Sequence, residues 1–389
     1  MAVPAQIYGI TGSSAYVGLT GVFGLVPLVV FGLWGGSLAD HFDRRRLLTF
    51  TTVGLIASSA ALFLQAAAGS DNVWLLLVIY AIQQACFAVN QPARSSIIPK
   101  LVRPALLPAA TSLSITVFTA GAIIGPLLGG ALIPLVGYSW LYLIDTVTLF
   151  ATLWAVLRLP PMPVERAADA PPSSPGLRSV WDGFVYLRGH RVLLMSFVLD
   201  LVAMIFGMPR ALIPEMSHVD FGGPRNGGLG LAVLFAALPV GAFLGGVFSG
   251  WVSRVRRHGV AVALAIVLWG LAIVAMGLSV TAADGTMSWL LWLAAFFLAL
   301  GGAADVASSA FRNAMLQSAA TDAMRGRMQG VFIVVVAGGP RIADVLHGLI
   351  SPLLGAGPTT ALGGALVVVL TMLLARRGSA FVAYERPDH

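Results

Sequence analysis

The chain has 389 residues, of which 58% are hydrophobic and 10% charged, with a mean hydropathy of +0.89, which excludes an ordinary water-soluble fold. Its net charge of +7 comes from short basic clusters set between apolar blocks, a pattern that suits membrane faces better than nucleic acid. A lone cysteine, Cys86, excludes a disulfide framework or a cysteine-based metal site within one chain.

Met1 to Ile10 is apolar but about half as long as a helix that crosses ~30 Å of hydrocarbon. It reads as the end of a first helix whose beginning is absent. Apolar blocks then predict eleven spans near 17–39, 47–68, 73–97, 107–134, 138–158, 191–213, 228–253, 260–281, 287–310, 327–351 and 357–376. If the loop carrying Asp40 to Arg46 is cytoplasmic, alternation places nearly every other arginine, and Lys100, on the same side, leaving Arg210, Arg225 and Arg341 elsewhere. Positive charge retained inside during insertion explains that split and puts the carboxy-terminus in the cytoplasm.

The prolines from Pro160 to Pro175 predict an extended linker, and the apolar spacing from Leu177 to Leu187 predicts an interfacial helix after it. The expected organisation is an amino-terminal bundle over 1–158, a cytoplasmic linker over 159–190, a carboxy-terminal bundle over 191–376 and a cytoplasmic tail over 377–389. The bundles repeat: Gly35-Gly36 followed by Arg44 and Arg46 recurs as Gly245-Gly246 followed by Arg254 and Arg256, and Ala93-Arg94-Ser95 is echoed by Phe311-Arg312-Asn313. Both arginine clusters face the same side, so the repeats are parallel. Such repeats predict a substrate site near mid-membrane between the halves.

Three groups of residues carry a family resemblance. Gly36-Ser37-Leu38-Ala39-Asp40-His41-Phe42-Asp43-Arg44-Arg45-Arg46 resembles the loop between the second and third helices of major facilitator superfamily transporters. There the acid and arginines, here Gly36, Asp40, Arg44, Arg45 and Arg46, form a cytoplasmic latch; His41 and Asp43 depart from the pattern. An arginine cluster that sets topology, with a capping Asp, explains the same residues without a latch. Gly121, Gly125, Pro126, Gly129 and Gly130 resemble the fifth-helix pattern that the superfamily associates with export, although small residues and a proline kink also serve ordinary helix packing. Asn90-Gln91-Pro92-Ala93-Arg94, Leu143-Ile144-Asp145, Gly207-Met208-Pro209-Arg210 and Gly338-Gly339-Pro340-Arg341 are similar to the branch containing siderophore exporters and macrolide efflux proteins. The resemblance covers about residues 3 to 376 and implies an all-α major facilitator fold with two parallel six-helix repeats.

Ionisable groups inside hydrocarbon are functional candidates because each costs several kcal/mol unless it is paired or wet. Asp200, about ten residues into its span and near the midplane, is the first candidate for proton coupling, followed by Asp145 and then Asp305. A carboxyl that alternates between protonated and charged forms is what proton antiport requires. Each could equally be a hydrogen-bonded packing acid. Gln83, Gln84, Asn90, Arg341 and Asp344 are candidates for the substrate cavity, with Arg341 and Asp344 expected to pair on one helical face. Trp140 and Trp289 read as interfacial anchors.

No constellation of nucleophile, base and orienting group predicts an enzyme, and no histidine spacing predicts a metal. Without a phosphate-cradling loop, energy is expected from an ion gradient, most simply protons, with no cofactor. The combined expectation is a monomeric exporter in the cytoplasmic membrane, moving a siderophore or macrolide-like amphipathic molecule. An importer, an uncoupled facilitator and a truncated protein that transports nothing are the alternatives.

Overall fold

The computed structural model describes residues 1–95, 97–160, 185, 187–319 and 322–385, except for the side chains of 33–41, 253 and 317–336. Every regular element among them is helical. Numbering the helices of ten residues or more, α1 is Ala2–Thr11, α2 Ser14–His41, α3 Arg44–Ala67, α4 Val73–Ser95, α5 Leu107–Leu157 and α6 Arg191–Phe206. After these come α7 Leu229–Val247, α8 His258–Thr281, α9 Trp289–Ala319, α10 Asp322–Leu354 and α11 Ala356–Arg377.

Local chemistry sets the breaks. Gly12, at φ 65°, closes α1 by donating its N–H to the Tyr8 carbonyl at 2.7 Å. Asp43 caps α3 by accepting the Arg46 N–H at 3.1 Å, so a residue that departs from the family loop makes a tight turn after α2. The two spans expected to break near 134–138 do so: the stretch labelled α5 is two helices joined at Gly137, whose φ 77° and ψ 174° are non-helical and open to glycine. The span expected over 191–213 is broken instead: α6 stops at Phe206, a short turn covers Arg210–Leu212, and Ile213–Glu215 leads into a wide turn over Met216–Asp220.

Large apolar side chains such as Phe50, Leu113, Phe118, Leu135, Trp154, Trp289 and Leu353 lie exposed along the helices, a surface suited to lipid. With lipid as solvent, helices associate through close packing rather than through the hydrophobic effect. Small residues supply it: a Cβ on Gly241 of α7 would stand 2.6 Å from the Ala299 Cα of α9, and one on Gly277 of α8 would stand 2.8 Å from the Ala361 Cα of α11. One apolar core, centred on Leu199, Trp269, Phe221 and Phe311, fills the carboxy-terminal half. A smaller one, around Ile7, Leu62, Leu76 and Leu77, fills the amino-terminal half.

The halves meet through α2 against α10 and α5 against α7. Gly18 and Gly348 permit the first crossing, since a Cβ on Gly348 would lie 2.8 Å from the Gly18 Cα. Gly130 permits the second: its carbonyl accepts the Gly228 N–H at 2.9 Å, and a Cβ there would sit 2.7 Å from the Ala232 Cα. Of the expected linker, 161–184 and 186 lie outside the described residues.

Candidate functional site

Between the halves lies a cavity of about 600 Å³ lined by residues of α1, α2, α3, α4, α5, α7 and α10, together with Arg210. Most of its wall is apolar. Its polar groups include Tyr80, Gln83, Gln84, Asp145, Arg210 and Arg341. Asp145 accepts the Ser59 hydroxyl at 2.6 Å, so one carboxylate reaches the cavity with a neutral donor on it. Nearby, Tyr142 donates to Gln6 at 2.8 Å and Gln6 donates to Gln65 at 3.0 Å, which satisfies a buried polar chain linking α5, α1 and α3.

The pairing expected between Arg341 and Asp344 does not form. Asp344 instead accepts from Arg210 at 2.6 Å, with its side chain 2% exposed and that of Arg210 40% exposed to the cavity. The break after Phe206 carries Arg210 to Asp344, and the longer Arg341 side chain crosses to the opposite half. There it donates to Gln84 Oε1 at 2.9 Å and to the Tyr80 hydroxyl, with its guanidinium 5.7 Å from the Tyr80 ring centre. Gly24 of α2 makes the passage possible, since a Cβ there would stand 2.9 Å from the Arg341 Cζ.

Asp200, expected as a lone acid at mid-membrane, forms a buried ion pair with Arg312. Spacing alone places Arg312 in a cytoplasmic loop after the span near 287–310, yet it lies inside α9 and is buried. Asp305 stands 3.9 Å from the same guanidinium. Both acids belong to the interior of the carboxy-terminal half and do not line the cavity. Asn90 also turns away from it, donating to Thr51 of α3 at 2.8 Å.

Only part of the glycine-rich stretch packs as small residues are expected to. A Cβ on Gly121 or Gly125 would meet no described atom within 4 Å, and Gly125, Pro126 and Gly129 line the cavity. The close approach is made at Gly130. In the expected latch, the side chain of Asp40 lies outside the described residues, while Arg45 donates to the Leu157 carbonyl at 2.6 Å and ties α3 to the end of α5.

A carboxylate that sequence reasoning passed over joins the halves. Glu215 accepts the hydroxyl of Ser14, at the start of α2, and that of Ser351 on α10 at 2.7 Å. Its signal was available: Glu215 is an acid within the apolar run from Ala211 to Met216. His347, buried on α10, has Nδ1 3.1 Å from the Met208 carbonyl and Nε2 3.1 Å from the Phe206 carbonyl, the oxygens freed where α6 breaks.

The model of the Major Facilitator Superfamily matches residues 1–343. The chain is 28% identical over 391 aligned positions to the enterobactin exporter EntS of Shigella boydii serotype 18, covering 96% of this chain and 86% of that protein. Against EntS of Escherichia coli O139:H28 it is 27% identical over 385 positions, with the same coverage. Among solved structures, a peptide transporter POT in complex with alafosfalin superposes with a TM-score of 0.76 at 14% identity, covering 99% of this chain and 92% of that one. The nucleoside transporter NupG gives 0.75 at 13% identity, covering 97% and 94%. A parallel pair of helical bundles around a central cavity, with this family match, makes the protein a multi-pass membrane transporter rather than an enzyme; the chain belongs to the Major Facilitator Superfamily.

Proposed function

We propose that the protein is a monomeric exporter that moves a siderophore or macrolide-like molecule out across the cytoplasmic membrane in exchange for protons. The observation that carries this reading is the polar-lined cavity between the halves, set beside similarity over most of the chain to proteins named as enterobactin exporters. In this reading the arginine-rich helix ends and the carboxy-terminus face the cytoplasm, and the Glu215 end faces out. Gly36, Asp40, Arg44, Arg45 and Arg46 serve as the latch on the cytoplasmic side.

Asp145 takes precedence over Asp200 as proton carrier because it reaches the substrate space and has a neutral partner, whereas Asp200 is held by Arg312. A carboxyl that both sides can reach in turn must not be locked to a fixed cation. Inside-out vesicles given enterobactin test the proposal through substrate uptake and proton release from the lumen. Both are expected in the wild type, with proton release lost in Asp145→Asn. Uptake without proton movement would leave a facilitator, and unchanged coupling in Asp145→Asn would remove that residue's role.

A further inference from the structure

We infer that Arg341 is an anion-recognition residue, so that the cavity selects substrates carrying a carboxylate or phenolate over neutral and cationic ones of similar shape. This rests on the export reading for its biological meaning, and it separates the two substrate classes proposed there.

Two arginines held in ion pairs between helices show what a structural arginine looks like in this protein. Arg210 is paired with Asp344, and Arg312 with Asp200. Arg341 differs: its described partners are the neutral oxygens of Tyr80 and Gln84, and no described carboxylate pairs with it. Neutral oxygens solvate a guanidinium but do not cancel its charge. In a membrane interior that leaves a cost of several kcal/mol, which a mobile anion would relieve.

Geometry makes such an anion admissible. Arg341 lines a cavity of about 600 Å³, room for a drug-sized molecule. A guanidinium has five N–H donors, and its planar fork matches a carboxylate through two parallel bonds. Tyr80 and Gln84 hold the fork in place, and an entering anion would compete with them for it. Arg210 lines the same cavity and adds positive potential, although Asp344 already neutralises most of it. The one acid among the lining residues, Asp145, supplies an acceptor for hydroxyl or amide donors elsewhere on the same ligand.

The probes are salicylate and salicylamide, which share a ring and hydroxyl and differ in charge. Each is titrated by calorimetry against the full chain in nanodiscs, with heat stability of every variant measured first. Wild-type protein is expected to bind salicylate at least tenfold more tightly than salicylamide. That preference should fall to about onefold in Arg341→Gln and recover in part in Arg341→Lys, which keeps the charge but loses the fork. Equal binding of the two probes, binding of neither, or a preference that survives Arg341→Gln in a folded variant would overturn the inference. Uptake of enterobactin and of a macrolide is measured separately in inside-out vesicles: absence of both beside a salicylate preference dependent on Arg341 would refute the export reading and leave the anion site standing.

Discussion

Ser14→Ala tests whether the bond between Ser14 and Glu215 holds the halves together at one end of the cavity. Glu215 accepts from Ser351 within its own half and from Ser14 across the interface, so only the second bond resists separation. A hydrogen bond to a charged group contributes about 1.5–3 kcal/mol, which predicts a population open at that end that rises roughly tenfold to a hundredfold. The assay places a cysteine at Gln83 in the cavity, replaces Cys86 by Ala, and follows labelling by a membrane-impermeant maleimide added from the Glu215 side. Ser14→Ala should label at least about tenfold faster than its parent. Ser351→Ala should change the rate less, since that contact lies within one half. Gly18→Ala should act in the same direction as Ser14→Ala, because its Cβ would stand 2.7 Å from the Asp344 carbonyl oxygen and wedge α2 from α10. Labelling of Ser14→Ala at the parental rate, with Gly18→Ala fast, would show that glycine packing alone closes this end and would refute the role given to Glu215.

Breaking the buried pair with Arg312→Gln should cost about 3–5 kcal/mol by leaving Asp200 uncompensated, and adding Asp200→Asn should recover much of it; heat-unfolding midpoints in detergent check both. If Arg312→Gln melts with the wild type, the pair is not structural. His347→Leu should destabilise by about 1–3 kcal/mol, because the imidazole N–H serves a carbonyl at the break in α6 that leucine leaves without a donor, and His347→Gln should recover part of that loss, both read from the unfolding midpoint. Gly241→Leu should destabilise by about 1–3 kcal/mol or more, because a side chain there meets the Ala299 backbone of α9. The same substitution at Gly121, which has open space beside it, should leave the midpoint unchanged.

The spans were legible in the sequence because hydrocarbon demands long apolar blocks, and their ends were marked by residues with few alternatives. Asp43 before three arginines and Gly137 between two apolar runs are such marks. What the sequence concealed was partnership across distance. Arg341 and Asp344 share a helical face, and spacing alone pairs them, but the long side chain reaches the other half and the short one takes Arg210. Arg312 sits just past a predicted span, where an arginine looks topogenic, and nothing local reveals that Asp200 lies against it. The run from Gly207 to Pro214 reads as the continuation of a span because, apart from Arg210, it carries no charge or polar side chain. Gly207 and Pro209 permit a break there, and Trp269, which fills the space beside Gly207, and His347, which meets the freed carbonyls, hold it.

Two of the side-chain linkages that cross between halves, Ser14 with Glu215 and Arg341 with Tyr80 and Gln84, tolerate motion differently. Ser14 has a short, two-atom side chain, and Glu215 is also tied to Ser351, so separating the backbones by a few ångströms removes the bond. Arg341 reaches Tyr80 and Gln84 through a long flexible stem whose rotamers can follow a similar displacement. When the halves rock about the mid-depth of the bundle, the Glu215 contact is therefore expected to fail first and the Arg341 bridge to stretch. An anion seated on Arg341 would replace that bridge without touching the Glu215 end directly. Its effect on opening must then come through the lost Tyr80 and Gln84 bonds. Salicylate should accordingly speed Glu215-side labelling in the Ser14→Ala background, where the first contact is already gone, more than in the parent carrying Ser14. Equal acceleration in both backgrounds would mean that the two linkages open together.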